Sequence, residues 1–468
     1  HSPSTICSPS RYGLYSGQQI YRSTGRGGGA FEGPGGPSYL KPGTLTLGGM
    51  LKQKGYHTGV FGKWHVGLTW FDNKGKRLGG GFDNSLLIDY DRSTPLIDGP
   101  NARGFDASFV TPNCPTTDPL YIYIENGMVP IPADRRHLRS TLPNPAGKWR
   151  WDNDEGWMAP GYDFLGADLM FYEKTEEFIV DHLKNSPEKP FFTVFSTQIA
   201  HAPVLPAREF VGTSGAGPRG DFVVELDTLV GRVIDLVKEL GIDGETLILF
   251  NADNGAETMH VDWMREDHDH DPSAGLRGMK RDAWEGGHRV PFIARWPGRI
   301  PQGQVSDQIT NTTDIFATLA SIVDFTLPDD AAVDSFDMLP VMTGKQDPAK
   351  PVRPHLLTQS FRGEFQIRKG KWKYLDHQGS GGNNYERGAL KKYEIKETAP
   401  EAPGQLYNLA ADPQETINLY FKKTEVRREL QALLQRLKQE GRSAPVQRKP
   451  VGFQNIALIP FTDAQVSK

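Results

Sequence analysis

Short apolar runs of strand character alternate along this chain with segments of helical period, and each run gives way at once to a polar cluster. That alternation excludes most folds. Leu226, Leu229, Val230, Val233, Ile234 and Val237 recur on one helix face, Gly241 is a stop signal, and 246–250 is a continuous apolar run. A helix over 165–183 leads in the same way into Phe191, Phe192, Thr193, Val194 and Phe195, and a helix over 44–54 leads into a strand at 58–61. No fixed period repeats, so the expectation is an α/β protein with a large mixed, mostly parallel sheet flanked by helices. The run 246–250 has the pattern of a parallel strand covered on both faces.

Beyond residue 345 the pattern changes. A hairpin is expected around Lys369 and Gly370, a strand at Leu406 and Tyr407, and a charged helix over 424–439. These make a smaller C-terminal α+β subdomain, 346–468, beside a main α/β domain, 1–345. The tail from Arg442 has little periodicity and reads as surface.

Composition narrows the partners. Length 468 exceeds what one core usually supports, and apolar (37%) and aromatic (10%) contents rule out disorder. Gly 51 and Pro 35 imply long, shaped loops. A formal charge of −4 provides no bulk field for nucleic acid, and no apolar run approaches the roughly 20 residues of a membrane span. An anion must therefore be held by a local cluster. Cys7 and Cys114 are too few for a disulfide framework, although one bridge is possible on count alone.

In open sheets ligands bind beyond the carboxyl ends of the strands. Lys63 and His65 follow the strand at 58–61, His201 follows the run ending at Phe195, and Asp253 with Asn254 follows the run 246–250. Each alone is bland: a strand-end Lys or His is usually solvated or structural, and Asp-Asn-Gly is commonly a turn. Their recurrence after separate strands favours one shared site.

The stretch Cys7-Ser8-Pro9-Ser10-Arg11, running on into a small-residue turn, resembles the signature of the type I sulfatases of the alkaline phosphatase superfamily, arylsulfatase-like in character. The segment from Gly55 to His65 is similar to the family's second signature. His201-Ala202-Pro203, Asp253-Asn254-Gly255, Lys280, Glu285-Gly286-Gly287-His288 and Leu406-Tyr407-Asn408-Leu409 follow in the family's order across nearly the whole chain.

The resemblance implies an alkaline-phosphatase-like fold and hydrolysis of a sulfate monoester, of a sulfated carbohydrate or an aryl alcohol. It implies that Cys7 is oxidised after translation to formylglycine, whose hydrate carries two hydroxyls on one carbon. One attacks sulfur and the other later expels sulfate, so turnover passes through a covalent sulfated enzyme. Arg11 would hold the nucleophile, Lys63 and Lys280 would contact sulfate oxygens, His65 would orient the nucleophile, and His201 would serve the leaving oxygen with a proton. A calcium ion would be bound by Asp253, Asn254 and the formylglycine at position 7, since hard oxygens suit it. The family's other two ligands are adjacent aspartates at the end of its first strand. The sequence begins just before Cys7 and carries no such pair, so an N-terminal piece with that strand is expected upstream of His1. The implied partners are a formylglycine-generating maturation enzyme and the sulfated substrate, with no nucleic acid and no membrane span, in the periplasm or outside the cell.

Other features read more blandly. Lys280 with Arg281 also fits a solvated basic face, and 260–271, rich in His and Asp, reads as a solvated loop rather than a transition-metal site. Trp149, Trp151 and Trp157 fit either a wall for a sugar ring or anchors of their loop. Cys114, in a Pro-rich loop, has no disulfide partner once Cys7 is converted. The rival functions are a phosphate or phosphonate monoester hydrolase of the same superfamily, a non-catalytic sulfated-ligand-binding protein, and a hydrolase using an unmodified Cys7 thiolate.

Overall fold

The computed structural model describes residues 1–24, 33, 35–78, 87–142 and 152–446. They form two compact units, one of residues 1–24 with 247–446 and one of residues 33–246. Among the described residues, no helix is long and apolar enough to cross a membrane.

In the unit of residues 33–246, a four-stranded sheet has the order Ile124–Glu125, Ala107–Thr111, His57–Lys63, Phe191–Ser196. The last three strands are parallel, with Gly59 opposite both Ala107 and Thr193; the first pairs antiparallel. His57–Lys63 is buried almost throughout because it lies between two neighbours and under a helix. That helix, Ala167–Asn185, turns Phe171, Thr175, Phe178, Ile179, His182 and Leu183 inward at helical spacing. Phe178 packs on Phe61 with ring centroids 5.4 Å apart, and burying such a ring contributes roughly 1.5–3 kcal/mol. The expected helices and strands of this region are present. The helix at 44–54 is Leu47–Gln53, capped by Thr46, whose Oγ1 accepts from the Gly49 N–H at 3.0 Å.

In the other unit, the C-terminal region is an antiparallel meander, Leu356–Gln359, Phe365–Lys369, Trp372–Leu375 and Gln405–Asn408. The helix Thr424–Gln439 covers it, with Leu430, Leu434 and Leu437 packing on Leu357, Ile367, Tyr374 and Leu406. The hairpin, strand and helix expected there are all present. Residues 1–5 run beside this sheet: Ser4 bridges Gln359 in parallel, and the Thr5 N–H donates to the Gln359 carbonyl at 3.2 Å.

Four expectations need correction. The run at 246–250 becomes Ile248–Asn251, which pairs antiparallel with Phe292–Arg295 and is only half-buried, because an apolar run reports burial and not strand direction. The turn expected after Arg11 is instead the helix Cys7–Ser16. Within 260–271, a helix Thr258–His268 forms, started by the Glu257 carboxylate, which accepts from the Thr258 N–H, and buried through Val261 and Met264. Ser443 and Ala444, read as surface tail, are buried, both donating their N–H to the Val333 carbonyl; residues 447–468 lie outside the described residues.

Candidate active site

Cys7 is the first residue of a ten-residue helix, and it is buried. Pro9 sits in the first turn, where a missing N–H costs nothing because the first four helix donors have no intrahelical acceptor. Gly13 lets the helix approach the chain before it: a Cβ there would stand 2.6 Å from Pro3 Cγ. The approach to Cys7 is fixed on both sides, since Ser10 Oγ donates to the Ser4 carbonyl at 3.1 Å and the Arg281 N–H donates to the Thr5 carbonyl at 2.8 Å. The helix N-terminus directs its amides and positive dipole end at position 7, which favours an anion there.

Arg11 lies one turn along, on the same face as Cys7. Its Nε donates to Asp253 Oδ2 at 2.9 Å. Asn254 turns its amide so that Nδ2 donates to the Gly255 carbonyl at 2.9 Å, leaving Oδ1 buried with no hydrogen-bond partner among the described residues. A buried amide oxygen without a donor is costly unless something electropositive meets it. Gly255 permits this turn: a Cβ there would fall 1.8 Å from the Gly286 carbonyl. A carboxylate beside such an oxygen is the donor set that a hard divalent cation takes, so Asp253 and Asn254 fit calcium.

Lys280 is buried, not part of a solvated basic face. Its Nζ lies 3.1 Å from Glu257 Oε2, and the same carboxylate also pairs with the Arg281 guanidinium. Asn383 Nδ2 fixes the Lys280 carbonyl at 2.9 Å. Glu257 escaped the sequence reading, although it stands three residues after Asn254.

In the unit of residues 33–246, Lys63 ends its strand with the side chain fully enclosed. Two buried carboxylates feel its charge. Burial pushes the Asp118 carboxyl up to about 6, against the Cys114 N–H and Lys63, and pushes Asp168 up to about 7, against Gln198 and Lys63. His65 adopts a left-handed backbone, φ 55°, strain of the kind that accumulates at functional sites. His201 follows the strand Phe191–Ser196 and donates from Nδ1 to the Ala202 carbonyl at 2.6 Å. His65 Nδ1 and His201 Nε2 each stand 3.8 Å from Cys114 Sγ, so both expected histidines flank one thiol.

Thus Cys7, Arg11, Asp253, Asn254 and Lys280 fall in one unit, and Lys63, His65 and His201 fall in the other. Trp149 and Trp151 lie outside the described residues; Trp157 is half-buried, with the Arg136 guanidinium 5.3 Å from its ring centre. The sequence reading missed Asp118 and Asp168 because their role depends on burial beside Lys63, which spacing does not reveal.

The family model described as sulfatase matches residues 1–325, and one described as N-sulphoglucosamine sulphohydrolase, C-terminal, matches residues 278–440. An N-acetylgalactosamine-6-O-sulfatase of Bacteroides thetaiotaomicron is 31% identical, over 94% of this chain and 85% of that protein. Bovine arylsulfatase A is 32% identical, over 92% of this chain and 78% of its own length. A solved structure from work on glycosaminoglycan metabolism by Bacteroides thetaiotaomicron superposes with a TM-score of 0.73 at 27% identity, covering 93% of this chain and 90% of that one.

Proposed function

From the premise that this chain belongs to the sulfatase family and hydrolyses sulfate esters, we propose that Cys7 becomes the formylglycine nucleophile and that the substrate is a sulfated carbohydrate. The observation that carries this reading is the start of a helix at Cys7 whose Arg11, one turn on, pairs with Asp253 at 2.9 Å. It joins the reacting position, a fixed cation and a metal-type carboxylate in one local structure. The carbohydrate follows from the N-acetylgalactosamine-6-O-sulfatase relative; the bovine arylsulfatase relative keeps aryl esters as a second class to assay.

The formylglycine supplies, as its hydrate, two hydroxyls on one carbon, one for attack on sulfur and one for release of sulfate. Calcium would be held by Asp253 and Asn254 together with position 7 and would supply Lewis acidity. Arg11 keeps the Asp253 carboxylate oriented, and the dipole of its helix favours negative charge at position 7. Lys63 and Lys280 are assigned to the sulfate oxygens. Lys280 and Arg281 share the Glu257 carboxylate, which gathers two cations at the locus assigned to the anion. His65 is assigned to orienting the nucleophile. His201 uses Nδ1–H on the Ala202 carbonyl, which leaves Nε2 as the nitrogen that gives or takes a proton at the leaving oxygen. Residues 1–345 act as the catalytic region and 346–468 as the appended subdomain. The maturation enzyme acts on Cys7 before folding closes over it, and the protein works after export to the periplasm or beyond.

The test is sulfate release by the full-length protein, made in a maturation-competent host with calcium, from 6-sulfated N-acetylhexosamines and from an aryl sulfate, beside the matched phosphate esters. Sulfate release that exceeds phosphate release and disappears in Cys7→Ala supports the reading. Preference for phosphate, ligand binding without turnover, or full activity in Cys7→Ala overturns it.

A further inference from the structure

The surroundings of Cys114 are those of a metal site rather than of a lone thiol. A ring nitrogen of His65, Cys114 Sγ and an Asp118 carboxylate oxygen lie mutually within 4.8 Å, and all three residues are buried. His201 Nε2, outside that mutual group, stands 3.8 Å from the same sulfur. In a tetrahedral zinc site the metal–sulfur and metal–nitrogen bonds are about 2.3 and 2.0 Å, so the sulfur–nitrogen edge is about 3.6 Å. Two such edges of 3.8 Å meet at Cys114.

The tautomer of His201 is fixed by its neighbours. Thr117 Oγ1 donates its only proton to the Ala202 carbonyl at 2.6 Å, so toward His201 Nδ1, 3.3 Å away, it can only accept. The Ala202 carbonyl, 2.6 Å from Nδ1, is also an acceptor. Nδ1 therefore carries the proton, and the Nε2 lone pair is directed at the sulfur. A ring nitrogen bonded to a backbone carbonyl while its opposite nitrogen offers a lone pair is the outer-shell arrangement of zinc-bound histidine. Asp118 is tied to the same loop, accepting the Cys114 N–H at 2.7 Å.

We propose that Cys114, His65 and Asp118 bind a soft divalent cation of the zinc type, with His201 Nε2 turned toward the same sulfur, distinct from the hard-oxygen position at Asp253 and Asn254, and that this binding inhibits the enzyme. The cation replaces the thiol proton, which passes to solvent, and forms bonds to sulfur, an imidazole nitrogen and a carboxylate oxygen. Soft sulfur and imidazole donors select zinc or cobalt over calcium. The binding follows from the geometry alone. The inhibition rests on the roles given above to His65, whose lone pair the cation would occupy, and to His201, which stands beside the bound sulfur.

The test uses full-length protein in excess calcium. Cobalt(II) should produce a thiolate-to-cobalt absorption band in wild type and in Cys7→Ala, and no band in Cys114→Ser. Zinc should bind one to one by calorimetry, weaken at least about tenfold in Cys114→Ser, and stop turnover reversibly, with recovery on adding a soft chelator. A wild-type protein without the band, a band that vanishes in Cys7→Ala, or equal zinc affinity in Cys114→Ser each overturns the site. Binding without inhibition leaves the metal site standing and overturns the roles of the two histidines.

Discussion

Lys280 and Lys373 are both buried lysines of the same unit, yet they are paired differently. Lys373 has two carboxylates, Glu285 Oε1 at 3.1 Å and Glu415 Oε1 at 2.9 Å, and donates as well to His288 Nε2 at 3.2 Å. Burial and the Lys373 charge hold His288 down at about 3, so the imidazole is neutral. Lys280 shares the Glu257 carboxylate with Arg281. Two carboxylates closing on Lys373 make a scaffold, whereas Glu257 gathers two cations at one locus. Glu285 and His288 of the motif Glu285-Gly286-Gly287-His288 therefore belong to the scaffold.

Replacing each lysine tests that contrast. Lys373→Met strands two buried carboxylates, with Arg368, 3.3 Å from Glu285, to offset one of them, and should cost about 3–5 kcal/mol in urea unfolding. Unchanged stability would break the comparison. Lys280→Ala leaves Glu257 paired with Arg281, so it should cost less stability than Lys373→Met, while kcat/KM for sulfate release falls about 10²–10³-fold. A destabilised but fully active protein would reverse the assignment.

The pH dependence of stability sharpens the scaffold half. Burial alone would raise the Glu285 carboxyl, but Lys373, His288 and Arg368 overcome it and hold it at about 2, below its ordinary 4.5. A depressed carboxyl gives stability that is complete above pH 4.5 and is lost as pH falls toward 2. Urea midpoints measured from pH 5 to pH 2.5 should fall steeply in wild type and less steeply in Glu285→Gln; equal slopes would contradict the cluster. The smallest effect belongs to Lys392, which lies between Asp262 and Glu266 with the same two-to-one count but 42% exposed. Lys392→Ala should cost less than about 1 kcal/mol, because water already screens those charges. A cost near that of Lys373→Met would mean that count, not burial, sets the energy.

Elements with strong period or propensity were legible in the sequence. The helix 424–439 matches at both ends, because leucines at 430, 434 and 437 mark one face in a strongly helix-forming segment. The helix Cys7–Ser16 was not legible, because Ser, Pro and Gly argue for a turn; Pro9 is tolerated in the first turn, and Gly13 is required by Pro3 rather than by the helix. Helix Thr258–His268 was hidden for another reason: only Val261 and Met264 carry its core face, while Asp262 is buried through Tyr393 and Lys392, more than a hundred residues away. In the candidate site, the residue types and order were readable from the motifs. The partners that tune them, Glu257, Asp118, Asp168 and Cys114, depend on which groups the fold buries together.

The central claim is that position 7 enters the reaction as an aldehyde and not as a thiol. Peptide mass spectrometry across residues 1–22 of active full-length protein from a maturation-competent host measures it directly. The account predicts the mass of formylglycine at position 7, in proportion to activity across preparations. An intact Cys7 thiol in protein that turns over at its full rate would contradict it.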